Sequence, residues 1–89
     1  MTLESDFDTA ANKVKNLKAK PTDDELLEIY GLFKQATVGD NNTSKPWVDL
    51  KGRAKWDAWD KKKGMSKQEA MQAYIEEAKK LVDKYGCDG

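Results

Sequence analysis

Two lysines in the segment 50–59 have a spacing that indicates anion binding. Lys51 and Lys55 stand four residues apart, so on a helix their ammonium groups lie side by side. Like charges at that spacing cost about 0.2–0.5 kcal/mol, and the neighbouring helical positions, Val48 and Ala58, supply no acid. A ligand with several phosphates would relieve the repulsion. The alternative interpretation is a lysine face that is simply solvated.

A second cluster combines two aromatic rings with a cation. Tyr30, Phe33 and Lys34 fall within one helical turn, where a ring can stack on a base and the ammonium can pair with a phosphate. In the alternative interpretation, both rings belong to the core and Lys34 extends its charge into solvent. Tyr74 lies on the apolar stripe of a later segment, so we expect it in the core.

The residue inventory leaves little room for catalysis. The chain has no histidine, the commonest general base and metal ligand, so its serines lack a base of that type. Cys87 is the only cysteine, which excludes a disulfide framework or a Cys-rich zinc site within one chain and favours a reducing compartment. The acidic pair Asp57 and Asp60 is expected to face solvent. We therefore expect no enzyme, no metal site and no cofactor.

Charge and length narrow the class of protein further. The 89 residues favour one domain, 1–89, and 16 basic side chains balance 16 acidic ones. A neutral chain is not typical of nucleic-acid binders, although charge is segregated: residues 45–67 hold eight bases against three acids, a net +5. Apolar runs are only two or three residues long, which predicts neither a membrane span nor a signal peptide. A small soluble binding domain is the expected class.

Hydrophobic periodicity predicts that four helices position these residues. Capping boxes at Thr22–Glu25 and Ser66–Glu69 begin the second and fourth helices, and Gly39 and Gly86 are natural stops. The predicted helices cover residues 3–17, 22–39, 48–62 and 66–86, with a polar loop at 39–46. The expected larger contacts of the third helix are Leu50, Ala54, Trp56 and Trp59. The predicted fold class is all-α, with one long connection before the third helix.

Three blocks of the sequence resemble the acyl-CoA-binding protein family: Pro21–Asp40, Leu50–Trp59 and Ala70–Ile75. The resemblance extends from about Phe7 to Gly86. It implies a four-helix bundle of up-down-down-up topology with a long crossover between helices two and three. It also implies a non-catalytic, cytoplasmic and monomeric carrier, which binds long-chain fatty acyl-CoA esters, buffers them and transports them.

The resemblance also implies a ligand site. It would be formed by Lys15, Tyr30, Gly31, Leu32, Phe33, Lys34, Lys51, Lys55 and Tyr74. In that family, the positions of Tyr30, Lys34 and Lys55 hold the 3′-phosphate of the nucleotide. The positions of Phe33, Lys15 and Tyr74 surround the adenine, and the acyl chain lies in a groove between helices two and three.

The sequence departs from the family pattern at two places. Phe33 stands where the family often has tyrosine, so its ring can stack but a hydroxyl contact is lost. The stretch 46–50 is one residue shorter than the usual form, which carries glycine after this proline. We expect this to alter the path into the third helix and the packing of Trp47 near the acyl groove.

Two other kinds of binding are compatible with the same residues. One is a protein-interaction module that uses the aromatic and basic groove for a partner helix. The other is nucleic-acid binding through Lys51–Lys67. It is the least favoured of these functions, because the chain carries no net charge.

Overall fold

The computed structural model describes residues 2–88, and most of them lie in four α-helices. These are α1 (Leu3–Lys15), α2 (Asp23–Thr37), α3 (Leu50–Asp60) and α4 (Lys67–Tyr85). The predicted all-α class is confirmed, and so is the long loop before α3, which covers residues 38–49. The third helix is shorter than predicted at both ends, because Asp49 adopts the extended N-cap conformation and residues 61–64 form a turn.

The sequence signals for the helix termini are confirmed. The Thr22 hydroxyl accepts a hydrogen bond from the Glu25 N–H at 3.2 Å, and the Glu25 carboxylate accepts one from the Thr22 N–H at 2.9 Å. The second capping box, Ser66–Glu69, has the same reciprocal pair. Gly39 and Gly86 follow α2 and α4 with φ of 102° and 80°, a region that favours glycine.

The helices lie side by side in the order α1, α4, α2, α3. Helix α1 packs against α4, and α2 packs against both α4 and α3. The Cα positions extend over 37 × 28 × 14 Å, so the molecule is a flattened slab. Within residues 2–88, α2 is the one helix that packs against α3, and the loop that precedes α3 supplies its other contacts.

Contacts near the helix ends give the directions of three helices. Leu17, just after α1, forms a bridge with Cys87 just after α4, so α1 and α4 run in the same direction. Glu25, at the start of α2, accepts a hydrogen bond from Tyr85 at the end of α4, so these two run oppositely. The core between them consists of Phe7, Ala10, Ile29, Leu32, Ala36, Ala70, Tyr74, Ile75, Ala78 and Leu81.

The predicted contacts of the third helix are only partly correct. Trp59 is buried and its indole N–H donates to the Gly39 carbonyl at 2.7 Å. Trp56 is half-buried and donates to the Thr43 carbonyl at 3.0 Å, so it fastens the long loop. The expectation for Leu50 was wrong, because its side chain is 77% exposed. Leu50 is the first residue of α3 and directly follows the long loop.

Glu25 links the start of α2 to the end of α4. Its carboxylate accepts hydrogen bonds from the Tyr85 hydroxyl and the Thr22 N–H, and the Lys84 ammonium lies 3.0 Å away. These contacts, the Tyr85 hydrogen bond most of all, lower the pKa of Glu25 from 4.5 to about 2. Because the folded pKa is below the unfolded one, the stabilisation is complete above pH 4.5 and is lost as the pH falls towards 2.

We expect Glu25→Gln to lower the free energy of unfolding at neutral pH. Between pH 4.5 and 2, the free energy of unfolding of this variant should decrease less with falling pH than that of the wild type. The matched control is Glu76→Gln, at an exposed carboxylate on α4 outside these hydrogen bonds. Urea unfolding followed by circular dichroism at several pH values measures both effects. An acid dependence that is the same in Glu25→Gln and the wild type would contradict the assignment.

Candidate functional site

Helix α2 presents a ring-and-cation patch on its surface. Tyr30 and Lys34 are one turn apart and half-buried, and Phe33 is 39% exposed. The spacing therefore gives a partly open surface, and the interpretation that placed the Phe33 ring within the core is wrong. Exposed aromatic area beside an ammonium group suits a ligand that combines a flat ring with phosphate.

Lysines from two helices lie over aromatic rings at the junction of α2 and α3. The Lys55 ammonium is 5.4 Å from the centre of the Tyr30 ring, and the Lys34 ammonium is 4.8 Å from that of Trp59. These cation–π contacts hold two positive charges near the same junction. The repulsion expected between Lys51 and Lys55 is offset here by a ring on the opposite helix, while Lys51 itself is exposed.

The junction depends on a close approach at Gly31. A Cβ atom at this position would lie 2.4 Å from the Ala58 carbonyl oxygen, so no larger residue fits without moving α3. Leu32 is 2% exposed and belongs to the core. Of the predicted site residues, Gly31 and Leu32 therefore contribute to packing, and the structure does not bring them to the surface.

Phe33 is part of an aromatic cluster that joins three helices. Its ring centre lies 5.6 Å from that of Phe7 and 6.0 Å from that of Tyr74, and those two are 4.9 Å apart. Tyr74 is 3% exposed, as expected of a core residue, and burial raises its pKa to about 12. Phe7 and Tyr74 thus form a rigid support behind the exposed Phe33 ring.

Two differences separate this arrangement from the sequence prediction. Lys15 is exposed at the end of α1, about 12 Å along the helix axis from Phe7. Among the described residues it makes no hydrogen bond, ion pair or ring contact with the cluster. Phe7 and Trp59 are ring partners of the site that the sequence does not reveal, because their spacing does not indicate which helix they would meet.

A groove of about 390 Å³ separates α2 from α3, where the resemblance implies one. Apolar side chains of Leu27, Ala54 and Ala58 line it together with the charged groups of Asp24, Glu28, Asp57 and Lys61. The volume lies within the range of small-molecule sites. The Lys62 ammonium pairs with the Glu28 carboxylate at 2.6 Å and so joins α2 to the turn that follows α3.

The described residues contain neither a helix suited to span a membrane nor a group of metal ligands. None of the helices within 2–88 combines the length and the apolar character that crossing a bilayer requires. In the same range, no three side chains of the histidine, cysteine or carboxylate type are grouped as metal ligands.

Sequence comparison gives one family and a highly similar relative. The family model described as "Acyl CoA binding protein" matches residues 4–78. The acyl-CoA-binding protein homolog 1 of Caenorhabditis elegans is 58% identical over 88 residues, which are 98% of this chain and 100% of that protein.

Comparison with solved structures also finds similarity to acyl-CoA-binding proteins. The crystal structure of acyl-CoA-binding protein 2 from Oryza sativa has a TM-score of 0.89 at 43% identity, with 93% of each chain covered. The crystal structure of the homologous protein from Moniliophthora perniciosa has a TM-score of 0.84 at 45% identity, covering 94% of this chain and 83% of that one.

Proposed function

The chain belongs to the acyl-CoA-binding protein family, whose members bind their ligand without catalysis, and from this premise we propose that it is a carrier of long-chain fatty acyl-CoA. As a single cytoplasmic domain and a monomer, it would buffer these esters and transport them. The observation that carries the proposal is the convergence of Lys34 and Lys55 on aromatic rings at the junction of α2 and α3. A groove between the same two helices has an apolar strip formed by Leu27, Ala54 and Ala58.

The charges of the headgroup match the lysines at this junction. Coenzyme A carries a diphosphate and a 3′-phosphate monoester, so it presents several negative charges at neutral pH. We assign Tyr30, Lys34 and Lys55 to the 3′-phosphate and Lys51 to the remaining phosphates. Charge-assisted hydrogen bonds contribute about 1.5–3 kcal/mol each, so two or three of them would orient the headgroup. Lysine suits phosphates reached from different helices, because its compact charge needs no bidentate geometry.

The exposed Phe33 ring is assigned to the adenine. Its outer side is accessible, and its inner side is supported by Phe7 and Tyr74. A ring held in one orientation loses little conformational freedom when a base stacks on it, which favours binding. Phe33 lacks the hydroxyl of the tyrosine that the family often has here, so this position would contribute stacking alone.

The acyl chain is assigned to the groove, where Leu27, Ala54 and Ala58 would contact its methylenes. Each buried methylene contributes about 0.8 kcal/mol, so the tail would supply most of the affinity. The headgroup residues would then determine which class of ester binds and in which direction it lies.

Single lysine substitutions test the headgroup assignment. We expect Lys34→Ala and Lys55→Ala each to weaken the binding of palmitoyl-CoA by about 1 kcal/mol or more, because each removes a charge-assisted hydrogen bond. The thermal midpoint should change little, since both ammonium groups keep contact with solvent and such cation–π pairs contribute only about 0.5–1 kcal/mol. Titration calorimetry and thermal unfolding measure the two quantities.

Lys80→Ala is the matched control, because Lys80 is exposed within α4 and does not belong to the junction of α2 and α3. Its affinity for palmitoyl-CoA should equal that of the wild type. If Lys34→Ala or Lys55→Ala unfolded the domain while the remaining folded protein bound normally, the two lysines would be structural and the assignment wrong.

One observation favours the alternative of a protein-interaction module. The groove carries the acids Asp24, Glu28 and Asp57 beside its apolar residues, which would suit a basic amphipathic helix. A partner helix in the groove would compete with the acyl chain. Displacement of a bound partner helix by excess palmitoyl-CoA would indicate that the partner occupies this groove, whereas binding that palmitoyl-CoA leaves unchanged would indicate a partner at another surface.

A further inference from the structure

A second groove, of about 530 Å³, lies between α1 and α4. We call it the α1–α4 groove. Ala10 from α1 and Ala78 from α4 are buried in its floor, and Ile75 and Val82 extend the floor along α4. The two alanines are small, so the depression between the helices stays open. The volume exceeds that of the groove between α2 and α3 and lies within the range of binding sites.

Four charged side chains form the rim of the α1–α4 groove. Asp6 and Lys13 belong to α1, and Lys79 and Asp83 belong to α4. None of the ion pairs formed within residues 2–88 includes any of these four side chains. Two acids and two bases beside an apolar floor are therefore available to a partner.

The signs of the rim charges alternate around the groove. Helices α1 and α4 run in the same direction and are bridged just after their last turns. Lys13 and Asp83 each lie four residues before the bridged pair, on opposite walls, while Asp6 and Lys79 lie nearer the other end. Each wall therefore carries one acid and one base, and each charge has its opposite across the groove.

An amphipathic helix of a partner protein fits this arrangement. The groove extends along α4 from Ile75 to Asp83, which is about 12 Å or two turns of helix. An apolar stripe on the partner helix would pack on the floor. Its flanks would bring bases to the two acids and acids to the two lysines. An anionic bilayer is disfavoured, because the rim carries no net charge and the floor is concave.

We propose that the α1–α4 groove docks a helix of a partner protein that carries this alternating charge pattern. No residue lines both this groove and the site assigned to acyl-CoA. Tyr74 and Ile75 are adjacent on α4, but their side chains point about 100° apart around its axis. The consequence for transport rests on the proposed function: a docked carrier still holds its ester, so the partner is a protein that supplies or receives acyl-CoA.

Two designed peptides test the docking. Each has about 20 residues, since shorter helices are marginal in water, and each carries a leucine stripe for the floor. The matching peptide has flank charges opposite to those of the rim. In the exchanged peptide, the lysines and glutamates of the flanks trade places, which conserves composition and net charge. The rim pattern is unchanged by a half-turn, so the exchanged peptide cannot match it by reversing its direction.

We expect the matching peptide to bind at least about tenfold more tightly than the exchanged one, because four attractions become four repulsions. Amide NMR titrations measure both affinities, and the shifted signals should come from α1 and α4. Saturating the protein with palmitoyl-CoA should leave the affinity for the matching peptide unchanged.

The double variant Lys79→Glu, Asp83→Lys reverses the α4 wall without changing the net charge. It should bind both peptides equally, since each then meets two favourable and two unfavourable charges. The matched control is Glu76→Lys, Lys80→Glu, the same exchange at exposed positions of α4 that do not line the groove. This control should keep the wild-type preference. Thermal unfolding should show both folds retained, because the substituted side chains are exposed.

Several results would overturn the proposal. These are no binding of the matching peptide, equal binding of the two peptides to the wild type, or a preference that persists when the α4 wall is reversed. Displacement of the matching peptide by palmitoyl-CoA would show that a loaded carrier cannot dock. Calorimetry with palmitoyl-CoA and no peptide tests the carrier function separately, so failure of one proposal is distinguishable from failure of the other.

Discussion

The affinity for saturated acyl-CoA esters is expected to rise steeply with chain length and then to level off. Each methylene buried in the groove adds about 0.8 kcal/mol, so about ten of them would add roughly 8 kcal/mol before ordering costs. The rise must end when the groove of about 390 Å³ is full, because further methylenes stay in water. Titration calorimetry across a series of chain lengths measures the slope and the plateau.

Free coenzyme A and free fatty acid are the controls for this series. Each should bind poorly, since one lacks the tail and the other lacks the phosphates. A variant that narrows the groove, Ala54→Leu, should lower the affinity of long esters and leave that of short ones nearly unchanged. A flat series in which free coenzyme A binds as tightly as the esters would exclude burial of the tail.

Gly31→Ala is expected to destabilise the fold and to damage the site together. The added Cβ would lie 2.4 Å from the Ala58 carbonyl oxygen, and backbone on both sides leaves no flexible group to move aside. Overpacking of this kind costs about 1–3 kcal/mol. Because α3 must then move away from α2, Lys55 should lose its position over Tyr30, and palmitoyl-CoA affinity should fall as well.

Gly52→Ala is the matched control, since it makes the same change at another helical glycine. Its Cβ would meet only the Asp49 carboxylate, at 2.8 Å, and that side chain makes no capping hydrogen bond and is free to rotate. Alanine is favoured over glycine within helices by about 1 kcal/mol. Urea unfolding should therefore show a loss for Gly31→Ala and none for Gly52→Ala. Equal stability of the two variants would mean that α3 does not approach α2 as closely as the structure has it.

The boundaries of three helices were predictable because they depend on neighbours within four residues. Thr22 and Glu25 form a capping box whatever the rest of the chain does, and Gly39 and Gly86 supply backbone conformations that other residues resist. The start of α3 was less predictable. Asp49 is an ordinary N-cap residue, but its side chain makes no capping hydrogen bond, so the local signal was weak.

The residues of the candidate site also fall into those that the sequence predicts and those that only the structure explains. The grouping of Tyr30, Phe33 and Lys34 follows from the helical period, and that local spacing survives in the structure. The roles of Gly31 and Leu32 were not predictable in this way, because both lie in the same block of sequence as the surface residues. Only the position of the neighbouring helices shows that these two face inward.

The amino-acid sequence by itself determined the helical class, the family, the polar loop before α3 and the set of lysines and rings available for a phosphate-bearing ligand. The tertiary structure alone decided which ring each lysine meets, that Phe7 supports Phe33, and that Leu50 is exposed. The physical reason is the distance along the sequence over which each kind of interaction acts. Capping and periodicity act over one helical turn, whereas these contacts join residues distant in sequence and depend on how closely the backbones of two helices can approach.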